Sequence, residues 1–369
     1  MKKKIDNVIE VPCGGETVKF TSCLVSMLMR AKGIVDEEQD FYCNGQNGPC
    51  IRCGKCEDLV PLKRLHNEIY NLFTIVSGYG FLQIDLSDDE HMKESWDYTS
   101  QLLLREFDDY FDFTMNFAGY DYEKLQTSTG RQVIFNRIKE SIDENVPVLV
   151  QLKRKLQWIL VTGYDEDKIL GLDGSQSYWG MSPAEPDSYE NGLFIMSGWY
   201  EKLSSVYILG EKKEPTKNIR DVMTRGKKIM QAMKNKKYYQ NSVAYMRDES
   251  NFKNLSDERW LSIRDRVAKW IGHPIDIRAM TGSAMNPLKN DDAFSKNEAI
   301  ALHKIHGLCW TVHDVLWIAW FAIGEYKGGD KLGWAKGLQN PVIRNTVADC
   351  MDFVCRHDDM MLSALKDAF

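Results

Sequence analysis

The chain predicts an α+β protein: a mixed domain over residues 1–212 followed by an all-helical domain over residues 213–369. Two observations predict this class. Residues 146–151, 156–165 and 168–173 are three successive apolar runs with the length and β-branched content of neighbouring sheet strands. Beyond the charged, proline-bearing stretch 210–216, apolar residues recur only at helical spacing and no alternating run appears.

In order along the chain, residues 20–31 carry an amphipathic helix that stops at Gly33. A cysteine-rich loop follows, then a strand at about 80–85 and a long helix at about 89–116. A second helix at about 129–144 leads into the three apolar runs, and Ser205 to Leu209 is a further strand. The helical half is expected to hold helices at about 218–233, 257–272, 297–326 and 341–368, packed as a bundle.

Composition excludes several classes of function. A length of 369 residues suits about two domains, and 43% hydrophobic residues with ten Trp are too apolar for a disordered chain. The formal charge of −6 gives no electrostatic footprint for nucleic acid. Asp6, Asn7 and Glu10 interrupt the first apolar stretch, and no later run reaches the ~18 apolar residues that span a bilayer, so the expected setting is cytoplasmic. Nine Cys in that setting point to reduced thiols or metal ligands rather than disulfides. No glycine-rich phosphate loop is present.

The strand that starts Gln157-Trp158 and runs to Gly163-Tyr164-Asp165, followed by a return to Asp173, resembles the second half of papain-like cysteine peptidases of the bacteriocin-processing type. The helix Phe20-Thr-Ser-Cys23, ending at Gly33, is similar to that family's nucleophile helix. More of the chain is similar to uncharacterised bacterial proteins whose first domain is like the amino-terminal domain of the butirosin-pathway acyltransferase. The shared stretches are residues 75–81, 138–147, 163–165, 198–201 and 208–212. The resemblance implies a papain-like fold over residues 1–212, used for acyl transfer in some members and lacking a triad in others. It puts the nucleophile, base and orienting positions at Cys23, Gln157 and Asp173. Three features depart from the pattern. The family spacing would place the Cys at Phe20, a carboxamide stands in place of the imidazole, and no Gln precedes the helix to supply an oxyanion donor.

A carboxamide cannot take a proton from a thiol at neutral pH. The leading expectation is therefore a pseudoenzyme that binds a small molecule, peptide or acyl-carrier ligand in a cleft between the domains, with Gln157 and Trp158 as contacts. The alternatives are a cysteine-dependent acyltransferase or amide hydrolase, using Cys23 and a His from the helical half, and a metal-stabilised structural or partner-binding protein. The plain readings of the same residues are a buried core thiol for Cys23, a strand-end residue for Gln157 and a turn residue ahead of Gly174 for Asp173. In the helical half, His303, His306, Trp310 and His313 share about one third of a helix circumference and form a candidate ligand-binding face, or else a core helix with hydrogen-bonded His.

Cys43, Cys50, Cys53 and Cys56 place four thiols within fourteen residues rich in Gly and Pro. Two overlapping Cys-x-x-Cys turns let thiolates converge, which suits zinc or, as the alternative, an iron–sulfur cluster, with His66 as a substitute ligand. Thiolate ligation couples metal to folding. Elemental analysis of anaerobically purified protein is expected to give about one zinc per chain, and chelation is expected to lower the melting temperature. Metal-free protein with unchanged melting after chelation would end the idea.

Overall fold

The computed structural model describes residues 2–6, 8, 19–33, 60–83, 96–107, 109–172, 186–190, 193–324 and 330–369, without the side chains of 60–67, 96–99 and Lys155. In chain order the elements are β1 (Lys2–Lys4), α1 (Lys19–Ala31), α2 (Val60–Val76), α3 (Trp96–Leu104), α4 (Tyr110–Ala118), β2 (Tyr120–Gln126), α5 (Arg131–Asp143), β3 (Val148–Leu152), β4 (Trp158–Asp165), β5 (Lys168–Leu172), β6 (Ser188–Glu190), β7 (Leu193–Met196), β8 (Leu203–Lys212), α6 (Ile219–Lys236), α7 (Tyr238–Arg247), α8 (Asp257–Leu288), α9 (Lys296–Ala322), α10 (Lys331–Gly337) and α11 (Pro341–Ala368). The fold is α+β. No helix among the described residues is long and apolar enough to cross a membrane.

The chain divides into two compact units. The first comprises Met1–Phe73 and Thr114–Thr216, and the second comprises Thr74–Phe113 and Lys217–Phe369. Residues 74–113, counted within 1–212 from sequence, thus belong with the helices that follow residue 216.

The first unit is built on an eight-stranded sheet in the order β2-β8-β3-β4-β5-β7-β6, with β1 paired to the far half of β4. Its pairings are antiparallel. Strands β3 and β4 are apolar without alternation because both sheet faces are covered. On one face Val148, Val150, Ile159, Val161, Val206 and Phe194 pack against Ile134, Phe135, Ile138 and Ile142 of α5, whose spacing puts them on one helix side. On the other face α1 lies across β3 and β4, with residues Phe20 to Met29 buried.

Strand β2 had no counterpart in the sequence reading. It is an edge strand, and charged Asp121, Glu123 and Lys124 break the apolar pattern that would reveal it. The expected strand at 80–85 is corrected where it is described: Tyr79–Phe81 is one turn of 3-10 helix, with Leu82 extended after it. Gly78 causes this turn, since its φ of 94° is a left-handed conformation open to Gly. The expected helix at 89–116 is two helices. Asp109 ends the continuity, because its carboxylate accepts the N–H groups of Phe111 and Asp112 at 3.0 and 3.2 Å and so caps α4.

In the second unit the long helices start at side-chain caps. Asn218 with Asp221, and Ser295 with Glu298, form capping boxes, while Ser256 and Asn340 cap α8 and α11. The core holds a buried ion pair. Arg278 of α8 donates through Nε and Nη2 to Asp358 of α11 at 3.1 and 2.8 Å, and through Nη1 to the Gly80 carbonyl at 2.8 Å. Gln83 Nε2 donates to the same carboxylate at 2.8 Å. Gly80 sits so close to Thr281 that an added Cβ would lie 2.7 Å from its Oγ1. Nearby, burial together with the Arg278 charge pushes the His273 imidazole down to about 3, and Tyr239 Oη lies 3.4 Å from its Nδ1.

Removing one member of a buried ion pair strands the other charge. Asp358→Ala is expected to destabilise the protein by about 3–5 kcal/mol, measured by urea unfolding, and Arg278→Met with Asp358→Leu together should cost less than the sum of the single changes.

His273 sets an acid limit. Its folded value lies below its ordinary 6.5, so the unfolded chain binds the extra proton between those values. The contribution to stability is full above about 6.5 and is lost as pH falls toward 3. Glu298, held down to about 2 by Arg220 and Ser295, loses its contribution lower still, as pH falls from 4.5 through 2. The denaturation midpoint is expected to fall steadily from pH 6.5 to 4, and His273→Gln is expected to flatten that limb.

Candidate functional site

The site legible in the sequence lies in the first unit, where α1 meets the start of β4. Helix α1 forms because Phe20, Leu24, Met27 and Leu28 recur at helical spacing, and it closes at Gly33 with φ 72°. Phe20 packs on Trp158 with ring centroids 5.0 Å apart, and Trp158 packs on Tyr207 at 5.3 Å. Cys23 follows Phe20 by three residues and is buried in the same helix, in no disulfide.

Trp158 opens β4 opposite Gln151, which itself pairs with Ser205. Directly paired residues of an antiparallel sheet share a face. Gln151, Trp158 and Ser205 therefore turn to the α1 side, all three buried. Gln157 has extended backbone, φ −69° and ψ 145°, and its carbonyl accepts from Leu152 N at 2.8 Å. Successive side chains of extended chain leave opposite faces. The residue at the strand start that faces α1 is Trp158, and the Gln157 carboxamide leaves on the other side.

Two further observations single out Gln157. Its Oε1 is buried and finds no donor among the described residues. Leu156 before it has φ 49°, a left-handed conformation costing a non-glycine residue about 1–3 kcal/mol. An orphaned amide oxygen beside a strained turn is a place where stability has been given up.

The other expected residues are distributed as follows. Asp173 and Cys43, Cys50, Cys53 and Cys56 lie outside the described residues, as does the side chain of His66. In the second unit, His303 is exposed on α9, while His306 Nδ1 donates to the Gly282 carbonyl at 2.9 Å. His313 Nδ1 donates to Asp314 at 2.9 Å and its Nε2 accepts from Trp317 Nε1 at 3.0 Å. Both ring nitrogens of His313 are thus engaged. Its ring lies edge-on to Trp310 at 5.2 Å and to Trp317 at 6.1 Å, and these three rings form an aromatic ladder along α9. Among the described residues no three His, Cys, Asp or Glu side chains cluster as a metal site.

The sequence reading missed Arg278 and Asp358. A signal was available: each falls on the apolar stripe of its helix, Arg278 among Ile271, Ile275 and Met285, and Asp358 among Met351, Val354, Met361 and Leu365. Opposite charges on two apolar stripes predict a buried pair.

No family model matches this chain, and no curated protein or solved structure is significantly similar to it.

Proposed function

We propose that the first unit is a papain-like domain that binds a peptide or amide-bearing small molecule without turning it over. The observation that carries this reading is the Phe20–Trp158 contact. In the spacing of the family it resembles, the nucleophile falls on Phe20, and Trp158 is the strand-start residue facing that helix. Two buried aromatic rings, 5.0 Å apart, fill the space between α1 and the strand start, and Gln157, the position of the imidazole in the family it resembles, carries a carboxamide. Neither ring has a proton to exchange at neutral pH, whereas positioned proton transfer is worth about 100-fold to 10,000-fold in rate.

Support also comes from the arrangement of elements: a helix laid on one face of an antiparallel sheet, crossing the two strands that carry Gln151 and Trp158. Gln157 supplies the recognition chemistry. Its buried, donor-less Oε1 fits the N–H of an amide, and that hydrogen bond would contribute about 1 kcal/mol net.

The test sets binding of peptide amides, measured by calorimetry, beside hydrolysis of thioester and peptide substrates. Gln157→Ala is expected to weaken binding about three- to tenfold, the equivalent of one buried hydrogen bond, and Cys23→Ala is expected to leave it unchanged. Gln157→His is expected to create no hydrolysis, because that side chain leaves the sheet on the face away from α1. Wild-type turnover abolished by Cys23→Ala would overturn the proposal.

A further inference from the structure

The second unit contains a small pocket, about 10 Å³ in volume, between the turn at Tyr79–Phe81 and helices α6, α7 and α11. That volume is of the order of one water-sized group. Its wall carries Gln83, Gln240, Asp358 and Asp359, with Phe81 as an aromatic side and Lys234 nearby.

The hydrogen-bonding account of this wall does not close. Gln83 is 5% exposed, and its Nε2 is committed to Asp358, which fixes the orientation of the amide and leaves Oε1 as the free end. That Oε1 is buried and finds no donor among the described residues, and the same holds for Gln240 Oε1. Burial without a partner costs about 1–3 kcal/mol for each such atom. Native proteins keep few of these, and one that persists in a pocket marks a missing partner.

The partner's chemistry follows from what the wall lacks. Gln83 and Gln240 offer acceptors, and Asp358 and Asp359 add carboxylates. Asp358 is paired with Arg278, and Asp359 with Lys234, whose Nζ lies 2.8 Å away, so the open acceptors of the wall are the two carboxamide oxygens. An occupant must therefore bring at least two N–H or O–H donors on a single small atom. We infer that this pocket binds the ammonium head of a primary amine, with the carboxamide oxygens of Gln83 and Gln240 as its acceptors. Three N–H bonds on one nitrogen match two orphaned oxygens and a nearby carboxylate. The Lys234 ammonium, already bound at Asp359, is the same chemical group on the same wall.

The experiment follows thermal unfolding of the whole protein in methylammonium chloride, with tetramethylammonium chloride, sodium chloride and potassium chloride at equal ionic strength as comparisons. A ligand that binds only the folded state raises the melting temperature in a saturable way. Methylammonium is expected to do so. Tetramethylammonium, which has no N–H, is expected to behave as sodium chloride does.

Gln240→Leu, on the half-buried side of the pocket, is expected to abolish the methylammonium effect while the protein still melts cooperatively. Gln83→Met provides the second arm, with urea unfolding reporting separately the loss of its bond to Asp358. Equal responses to all four salts, or a methylammonium effect that survives in Gln240→Leu, would mean that the pocket holds water only and would overturn the inference. A response to potassium alone would overturn it equally, since a bare cation brings no donors.

Discussion

The carboxylate of Asp358 is the point on which the second unit turns. It receives two nitrogens of Arg278 and one of Gln83, and Arg278 reaches on to the carbonyl of Gly80. Three separate parts of the chain meet there: the turn after α2, the middle of α8 and the middle of α11. A buried charge with its bonds unmade is far more costly than one never buried, so these groups must arrive together. That requirement draws residues 74–83 into the helical unit. Local packing reinforces it, because Gly80 lies against Thr281 with no room for a side chain and Tyr79 is wholly buried.

The first unit rests on apolar burial instead. Its sheet has β-branched side chains facing α5 on one side and an aromatic trio of Phe20, Trp158 and Tyr207 on the other. Each fully buried Ile, Val or Phe contributes about 1.5–3 kcal/mol, and no ion pair is needed to align the strands. Polar groups on the α1 side, among them Gln151 and Ser205, are buried where a purely structural sheet would place Val or Ile. The two faces thus differ: the α5 face is apolar, and the α1 face buries polar side chains beside its aromatic rings.

Much of this was legible in the sequence, and the failures have causes. Helix α6 begins after Asn218, where it was expected, and α9 begins at Lys296, one residue before the expected 297, because Ser295 with Glu298 forms a capping box that the apolar spacing does not show. Pro341 likewise opens α11 at the expected residue. Helix α8 runs on to Leu288 through Pro274 and Pro287, past the expected end at Gly272. An interior proline costs a helix about 3 kcal/mol, but Ile271, His273, Ile275, Ile277 and Arg278 are all buried and hold the continuation in place. The break at Asp109 was hidden because the apolar spacing continues on both sides of it. At the candidate site, the register of Gln157 and Trp158 depends on which strand face α1 covers, and no spacing along one chain states that.

Both units share one feature: a buried glutamine oxygen with no donor among the described residues, Gln157 in the first and Gln83 with Gln240 in the second. The choice of side chain has a chemical consequence. A carboxamide does not titrate near neutral pH and does not transfer protons, so it cannot activate a nucleophile, yet it orients a ligand by a hydrogen bond that persists across the physiological range. Three groups of the helical unit are shifted away from reactivity: burial pushes the Cys309 and Cys355 thiols up to about 12 and the His273 imidazole down to about 3. A thiol so shifted remains protonated and unreactive at neutral pH. Among the described residues, the open glutamine oxygens are acceptors, while Cys309, Cys355 and His273 are sealed within the helical core.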